Sequence, residues 1–310
     1  MLARVADSLY WIGRYVERAE HFSRLASIIL NAAVDRGDSA QEATRIGMAA
    51  VGRTSSQMSA WPAARSLALD RDDTESIVTC VSHARENARQ VRDQITTECW
   101  ERLNLLYLRV TVPLATAAFD DNAAGFLQQA IADLHLFKGA SDATMSHGEG
   151  WRFLLAGVYL ERAQLMARLL QAGFGAPRRA GDDDYLALTH VLRMSCALEP
   201  YLRVYTADIR SRFILDFLLF DQEFPRSIRF CTGQIEEHLG TLSKTLNKGG
   251  GAPARMAGRL NSRLTYTDSE EVAAAGAGSL LAAVEAECGA IHAAIYSTFV
   301  AYPLETRLPT

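Results

Sequence analysis

Lysine is almost missing from this chain of 310 residues: Lys138, Lys244 and Lys248 stand against 29 arginines. With a net charge of −4, the chain lacks the dense basic face that non-specific nucleic-acid binding requires, so no nucleic-acid partner is expected. The five cysteines, Cys80, Cys99, Cys196, Cys231 and Cys288, are scattered, and no Cys-x-x-Cys occurs. Such a set fits reduced, buried thiols and a cytoplasmic location. No basic segment followed by an apolar core opens the sequence, so no signal peptide is expected. No apolar run reaches the ~18–20 residues of a membrane span. Even the Ala-rich stretch from Val272 to Val300 is interrupted by Glu285, Glu287 and His292, so no membrane partner is expected.

Several site chemistries are also missing. Without Glu-x-x-His there is no di-iron ligand set, and without a Gly-rich loop ending in Lys-Ser/Thr there is no phosphate cradle. The histidines show no His-x-x-x-His, and no Ser/His/Asp or Cys/His arrangement is readable from spacing. Asp70-Arg71-Asp72-Asp73 and Asp182-Asp183-Asp184 are spaced wrongly for a Mg²⁺-binding pair and read as helix N-termini. No metal and no cofactor are expected.

What is present repeats. Gly13-Arg14-Tyr15-Val16-Glu17-Arg18-Ala19 returns as Gly157-Val158-Tyr159-Leu160-Glu161-Arg162-Ala163, at an offset of 144 residues. A second pair, Asp70 to Cys80 and Asp221 to Cys231, shares D-x5-S-I-x-x-C at an offset of 151. The two traces predict an internally duplicated protein with halves 1–148 and 149–310, packed as one compact unit.

Leu2, Val5, Leu9, Ile12, Val16, Ala19, Ser23, Ala26 and Leu30 recur at steps of three and four and predict one helix over 2–34. Arg36-Gly37-Asp38 reads as its stop, and a second helix is expected over 39–58, broken by Trp61-Pro62. Asp70 to Thr74 is expected to open a helix that carries Arg85 to Asp93. A further helix holds Glu98, Trp100 and Asn104, and 122–145 connects the halves. From Glu149 the seam returns through Phe153, Ala156, Leu160, Ala163, Ala167, Leu170 and Phe174. Gly173 to Gly181 reads as a loop and 183–205 as a helix bent or ended near Pro200. Lys248 to Pro253 reads as a loop, and a last helix is expected from 268 to 300. Nothing alternates with period two, so the expected fold is an all-α bundle of roughly ten helices in two pseudo-symmetric halves.

The repeated Glu-Arg pairs sit just off the apolar seam. Neighbours in a helix diverge by ~100°, so Glu17 and Arg18 do not face one another and each needs another partner. Two arrangements satisfy them. In one, the helices cross-pair, Arg18 with Glu161 and Arg162 with Glu17, as a buried network that fixes register. In the other they line a polar cavity. There Arg14, Arg18, Arg162, Tyr15 and Tyr159 hold an anionic ligand, and Glu17 and Glu161 act as acid and base. The segment Arg85-Glu86-Asn87-Ala88-Arg89 with Arg92 is the densest polar cluster. Arg85, Arg89 and Arg92 at i, i+4 and i+7 make one helix face, either solvated or an anion- or partner-binding stripe.

Tyr10 to Glu20, Ala84 to Arg89 with Glu98, Trp100 and Asn104, Gly157 to Ala163, and Phe224-Pro225-Arg226-Ser227 with Phe230-Cys231 together resemble the Alpha-E family over nearly the whole chain. That resemblance implies an all-helical protein associated with a circularly permuted ATP-grasp protein and with a transglutaminase-like protease. ATP-grasp enzymes activate carboxylates as acyl phosphates and join them to amines. The implied role is an accessory partner in amide- or peptide-bond formation that binds the ligase or its substrate, with Arg85, Arg89, Arg92 and Arg226 as contact residues. One alternative is an enzyme of the same pathway, acting on a carboxylate, acyl phosphate or peptide in a central cavity. Another is a self-associating scaffold, a homo-oligomer.

Overall fold

A computed structural model of the chain describes residues 1–34, 39–54, 58–73, 75–111, 114–175, 185–206, 208–246, 251–268, 270, 272 and 275–301. Fourteen α-helices and no strand occur among the described residues, so the fold is all-α. They are α1 (Ala3–Val34), α2 (Ser39–Ala50), α3 (Ala60–Leu69), α4 (Ile77–Gln90), α5 (Thr97–Thr111), α6 (Ala115–Asp121) and α7 (Ala123–Thr144). After these come α8 (Glu149–Phe174), α9 (Tyr185–Met194), α10 (Leu198–Tyr205), α11 (Ser211–Phe220), α12 (Ile228–Thr245), α13 (Ala252–Tyr266) and α14 (Gly278–Ile295). The last continues into a π-turn, Tyr296–Val300.

α1 is the axis of the molecule. Its seam residues Leu9, Ile12, Val16, Ala19, Ser23 and Ala26 are buried, but so are Gly13, Tyr10, Phe22 and Leu25 on its other faces. α2, α3, α4, α7 and α8 all pack on it, and its most extensive contact is with α8. The expected division at 148/149 falls between α7 and α8, and the α1–α8 contact crosses it. On α8 every expected seam residue, from Phe153 to Phe174, is buried.

Two flanking helices dock in matching ways. α4 packs on α1 and α12 packs on α8. Each starts from a serine whose side chain caps it: Ser76 Oγ accepts from the Thr79 N–H at 3.3 Å, and Ser227 Oγ from the Phe230 N–H at 3.0 Å. Ile77 and Cys80, like Ile228 and Cys231, are fully buried behind these caps. Ser76→Ala and Ser227→Ala are each expected to cost about 1 kcal/mol, read from the shift of the urea midpoint.

The boundaries differ from the expected ones for local reasons. Trp61 and Pro62 do not break a helix; they lie in the first turn of α3, where a missing N–H leaves no bond unmade. α2 ends at Ala50, before a turn in which Gly52 takes φ +73°. Asp70 and Asp73 cap their own turn, accepting the N–H groups of Asp72 and Glu75, while Ser76 starts α4. The break expected near Pro200 falls at Cys196, which adopts φ +58°, and Pro200 sits in the first turn of α10. Pro253 likewise belongs to the first turn of α13. The expected helix over 268–300 is interrupted at Gly276, which takes φ +84°: Glu270, Val272 and Ala275 are helical before it, and α14 starts at Gly278 after it. The stop at 36–38 and the loop residues 176–181 and 248–250 lie outside the described residues.

One segment, Gly278–Val300, is long and apolar enough to cross a membrane by length and composition alone. Here it is a packing helix. Leu281, Val284, Cys288 and Ile291 are buried, and Glu285 and Glu287 pair with Arg168 and Arg263.

Candidate functional site

The α1–α8 crossing places the two Glu-Arg motifs opposite each other. A Cβ on Gly13 would lie 2.0 Å from the Leu154 carbonyl oxygen, and one on Gly157 would lie 2.1 Å from that of Tyr10. Only glycine allows backbones this close. One turn further along each helix the charges meet. Arg18 Nε donates to Glu161 Oε1 at 2.6 Å, while Arg162 Nε and Nη2 donate to the two oxygens of Glu17, both at 2.8 Å. Of the two arrangements open to the motifs, the geometry is the cross-pair.

The rest of the chain closes the network. Glu161 Oε2 also accepts from Arg14 Nε at 2.5 Å, and Arg14 donates in turn to Gln164 Oε1 at 2.8 Å. Arg18 Nη1 reaches Glu75 Oε1 at 3.0 Å. On the other side Lys138 of α7 bridges Glu17 and Glu20, and Arg226 donates to Glu20 Oε1 at 2.5 Å. Arg24 and His135 complete the shell of Glu20. Tyr15 and Tyr159 lie under the guanidinium groups of Arg18 and Arg162, at 6.0 and 5.2 Å.

Glu17 is completely buried and Glu161 only 2% exposed. Burial alone would push both carboxyls up. For Glu17, Arg162, Lys138 and Arg226 override it; for Glu161, Arg14 and then Arg18 do so. Both are held ionised below the ordinary carboxylate range, as is Glu20 by Lys138 and Arg226. A buried, ionised carboxylate whose two oxygens already accept from arginines has no proton to give and is not open to a substrate. Arg226 cannot be a surface contact, because it is buried against Glu20 and Glu17.

Two histidines add to the acid sensitivity. Burial, with Arg226 beside it, holds His21 down to about 4, and burial with Arg152 does the same for His238. A group depressed on folding contributes stability above its unfolded value and loses it as pH falls through the folded one. The urea midpoint is therefore expected to fall from near pH 6.5 down to 4, as both histidines are driven to protonate, and to fall further as the carboxylates titrate. A midpoint that stays flat from pH 6.5 to 4 would contradict this.

The second cluster is assembled differently from the expected stripe. α4 ends at Gln90, so Arg92 lies in the following turn and not on the face of Arg85 and Arg89. Trp100 of α5 reunites two of them: the guanidinium groups of Arg85 and Arg92 stand 5.4 and 5.6 Å from its ring. Arg85 also covers Tyr107 at 4.9 Å and donates to Asn104 Oδ1 at 3.3 Å. Arg89 pairs with Glu86 on the surface, and Asn87 donates to the His83 carbonyl. Among the described residues no group of three His, Cys, Asp or Glu side chains is placed to hold a metal.

Residues 1–300 match the Alpha-E family, described as a predicted alpha-helical domain with a conserved ER motif. The chain belongs to the Alpha-E family. In this Alpha-E chain the Glu-Arg pair occurs twice, at 17–18 and 161–162, and each pair meets the other. An uncharacterized protein of Mycobacterium bovis is 27% identical over 319 residues, which cover 94% of this chain and 35% of that protein. Two uncharacterized proteins of Mycobacterium tuberculosis strains match over the same extent, at 27% and 26% identity. The chain thus spans about a third of the length of these curated relatives. No solved structure matches the chain.

The sequence reading did not anticipate Glu20, Glu75, Gln164 or Lys138. Glu20 stands at i+3 from Glu17, on the same strip of α1, which is a usable signal. Lys138 carries a compositional signal, as one of three lysines in a chain that elsewhere uses arginine.

Proposed function

We propose that this Alpha-E protein is a non-catalytic helical partner in ATP-dependent amide- or peptide-bond formation, and that it binds an ATP-grasp ligase or presents its substrate. The closed Glu-Arg network carries this reading. The paired carboxylates that an enzyme would use are buried, ionised and each bound by arginine through both oxygens, so they serve to lock α1 to α8. The length of the relatives supports it. They hold the counterpart of this chain within about a third of their own length, beside further segments that could supply a partner in the same polypeptide. The cross-pairs between the repeats at offset 144 and the matching serine caps at offset 151 support a duplicated origin for the two halves. In this reading the protein acts in the cytoplasm, and a transglutaminase-like protease is a second possible associate.

The Arg85–Trp100–Arg92 stack is the contact surface we favour. Flat guanidinium groups held on a half-buried indole lose little side-chain freedom on binding. Co-purification of the full chain with the ATP-grasp protein tests the reading. A stable complex that weakens about tenfold or more in Trp100→Ala is the expected result. No interaction at micromolar concentrations, with or without ATP, sinks it.

A further inference from the structure

We infer that the groove between α12 and α13 is a docking site for an acidic, amphipathic helical segment of another protein, held by Arg255 and Arg259. The groove has a volume of about 680 Å³ and is lined by Arg255, Arg259, Ala252, Met256, Gly258 and Ser262, with Glu236 on the α12 side. A second hollow of about 290 Å³ adjoins it, sharing Met256 and Arg259 and adding Arg263, Glu287 and Ile291.

Arg255, Arg259 and Arg263 follow one another at i+4 along α13. Like charges at this spacing oppose helix formation unless something neutralises them. Arg263 is neutralised by Glu287 at 2.5 Å. Arg255 and Arg259 are exposed and have no ion-pair or hydrogen-bond partner among the described residues. The carboxylate nearest to hand, Glu236, accepts from Asn261 Nδ2 at 2.9 Å instead. The lining therefore holds three arginines against two carboxylates; Arg263 takes Glu287 and Asn261 holds Glu236, which leaves Arg255 and Arg259 unanswered. Between the charges the floor is apolar: Ala252, Met256 and, further along, Ile291. Gly258 keeps it low, since a methyl group there would lie 2.7 Å from Glu236 Oε1. Methionine adapts its shape to a range of apolar partners.

These features select the occupant. Small-molecule sites enclose most of their ligand, and this hollow is open to solvent. Two free arginines on a chain of net charge −4 do not supply the row of phosphate contacts that nucleic acid requires. An acidic helix repeats its carboxylates every ~6 Å at i, i+4, the same step as Arg255 to Arg259, and each guanidinium fork accepts one carboxylate in two bonds. Its apolar neighbours would then lie on Met256 and Ile291, the helix-in-groove mode. The inference stands apart from the ligase reading, since it needs only an acidic segment, whichever protein supplies it.

The test is fluorescence anisotropy of the full chain with a labelled amphipathic peptide carrying Glu at every fourth position beside a Leu face. Binding is expected that falls with salt and weakens at least about tenfold in Arg255→Glu/Arg259→Glu, while Arg255→Lys/Arg259→Lys retains part of it. Both side chains are exposed, so an unchanged thermal melt establishes that the variants fold. Four results would each overturn the inference: no binding, binding indifferent to the charge reversal, equal binding of the same peptide with Lys for Glu, or displacement by inorganic pyrophosphate at equal concentration. So would a dimer in sedimentation that the charge reversal dissociates, which would assign the groove to a second copy of this chain.

Discussion

Glu17→Gln is expected to destabilise the protein by about 3–5 kcal/mol, the usual cost of removing one member of a buried ion pair. The carboxylate is fully buried and neutralises Arg162 directly, with Lys138 and Arg226 close by. A neutral amide keeps the shape but leaves three cations around a site that no longer carries charge, with Glu20 alone to answer Lys138 and Arg226. Equilibrium urea unfolding reads the effect directly. Because the cost is mostly that of stranded cations, adding Arg162→Met to Glu17→Gln should restore part of the loss, as apolar replacement of whole buried pairs often does. Non-additivity in that cycle is the signature of one network. A Glu17→Gln protein within about 0.5 kcal/mol of the parent would remove the structural reading and return the carboxylate to the list of candidate catalysts. Intact folding with loss of pathway product would point the same way.

Much of this network was legible before any coordinates. The heptad seam over 2–34 corresponds to α1, and its register set Glu17 and Arg18 off the packing face, which required partners from elsewhere. The repeat at 157–163 named those partners, and the cross-pairs of Arg18 with Glu161 and Arg162 with Glu17 are the ones observed. Lys138 and Glu75 were not legible as members, because they arrive from α7 and from the turn before α4, and helix periodicity carries no information about which surfaces meet. Arg226 reads as a contact residue, and nothing in the sequence around it shows that its side chain is buried. In the fold the loop that carries it leads into the N-terminus of α12, which packs on α8 and sends the Arg226 side chain, buried, to Glu17 and Glu20 of α1. Proline misleads for one reason. Pro62 reads as a break and Pro253 as the end of a loop, yet both, like Pro200, stand in first helical turns, where proline is tolerated. Short α6 escaped notice because seven residues are too few for a 3.6-residue period to declare itself.

Gly13→Ala is the second large effect expected, and its sign separates two physical accounts. By helix propensity alone, alanine for glycine inside α1 should stabilise by about 1 kcal/mol. Packing says the opposite. The new methyl carbon would lie 2.0 Å from the carbonyl oxygen of Leu154, a backbone atom of a buried helix that cannot swing aside as a side chain would. The helices must separate, and the displacement falls one turn from Glu17 and Arg18, where bonds of 2.6–2.8 Å span the same crossing. Overpacking of a filled core typically costs 1–3 kcal/mol; with the network strained as well, a loss of about 3 kcal/mol or more is expected. Gly157→Ala should behave alike, since its methyl group would meet the Tyr10 carbonyl oxygen at 2.1 Å. Glycine at Gly125 offers the control. A methyl group there would meet only the side chain of Asn122, so Gly125→Ala should cost far less. If Gly13→Ala instead melts higher than the parent, α1 and α8 do not cross as closely as described, and the Glu-Arg pairs would not be held in their reciprocal grip.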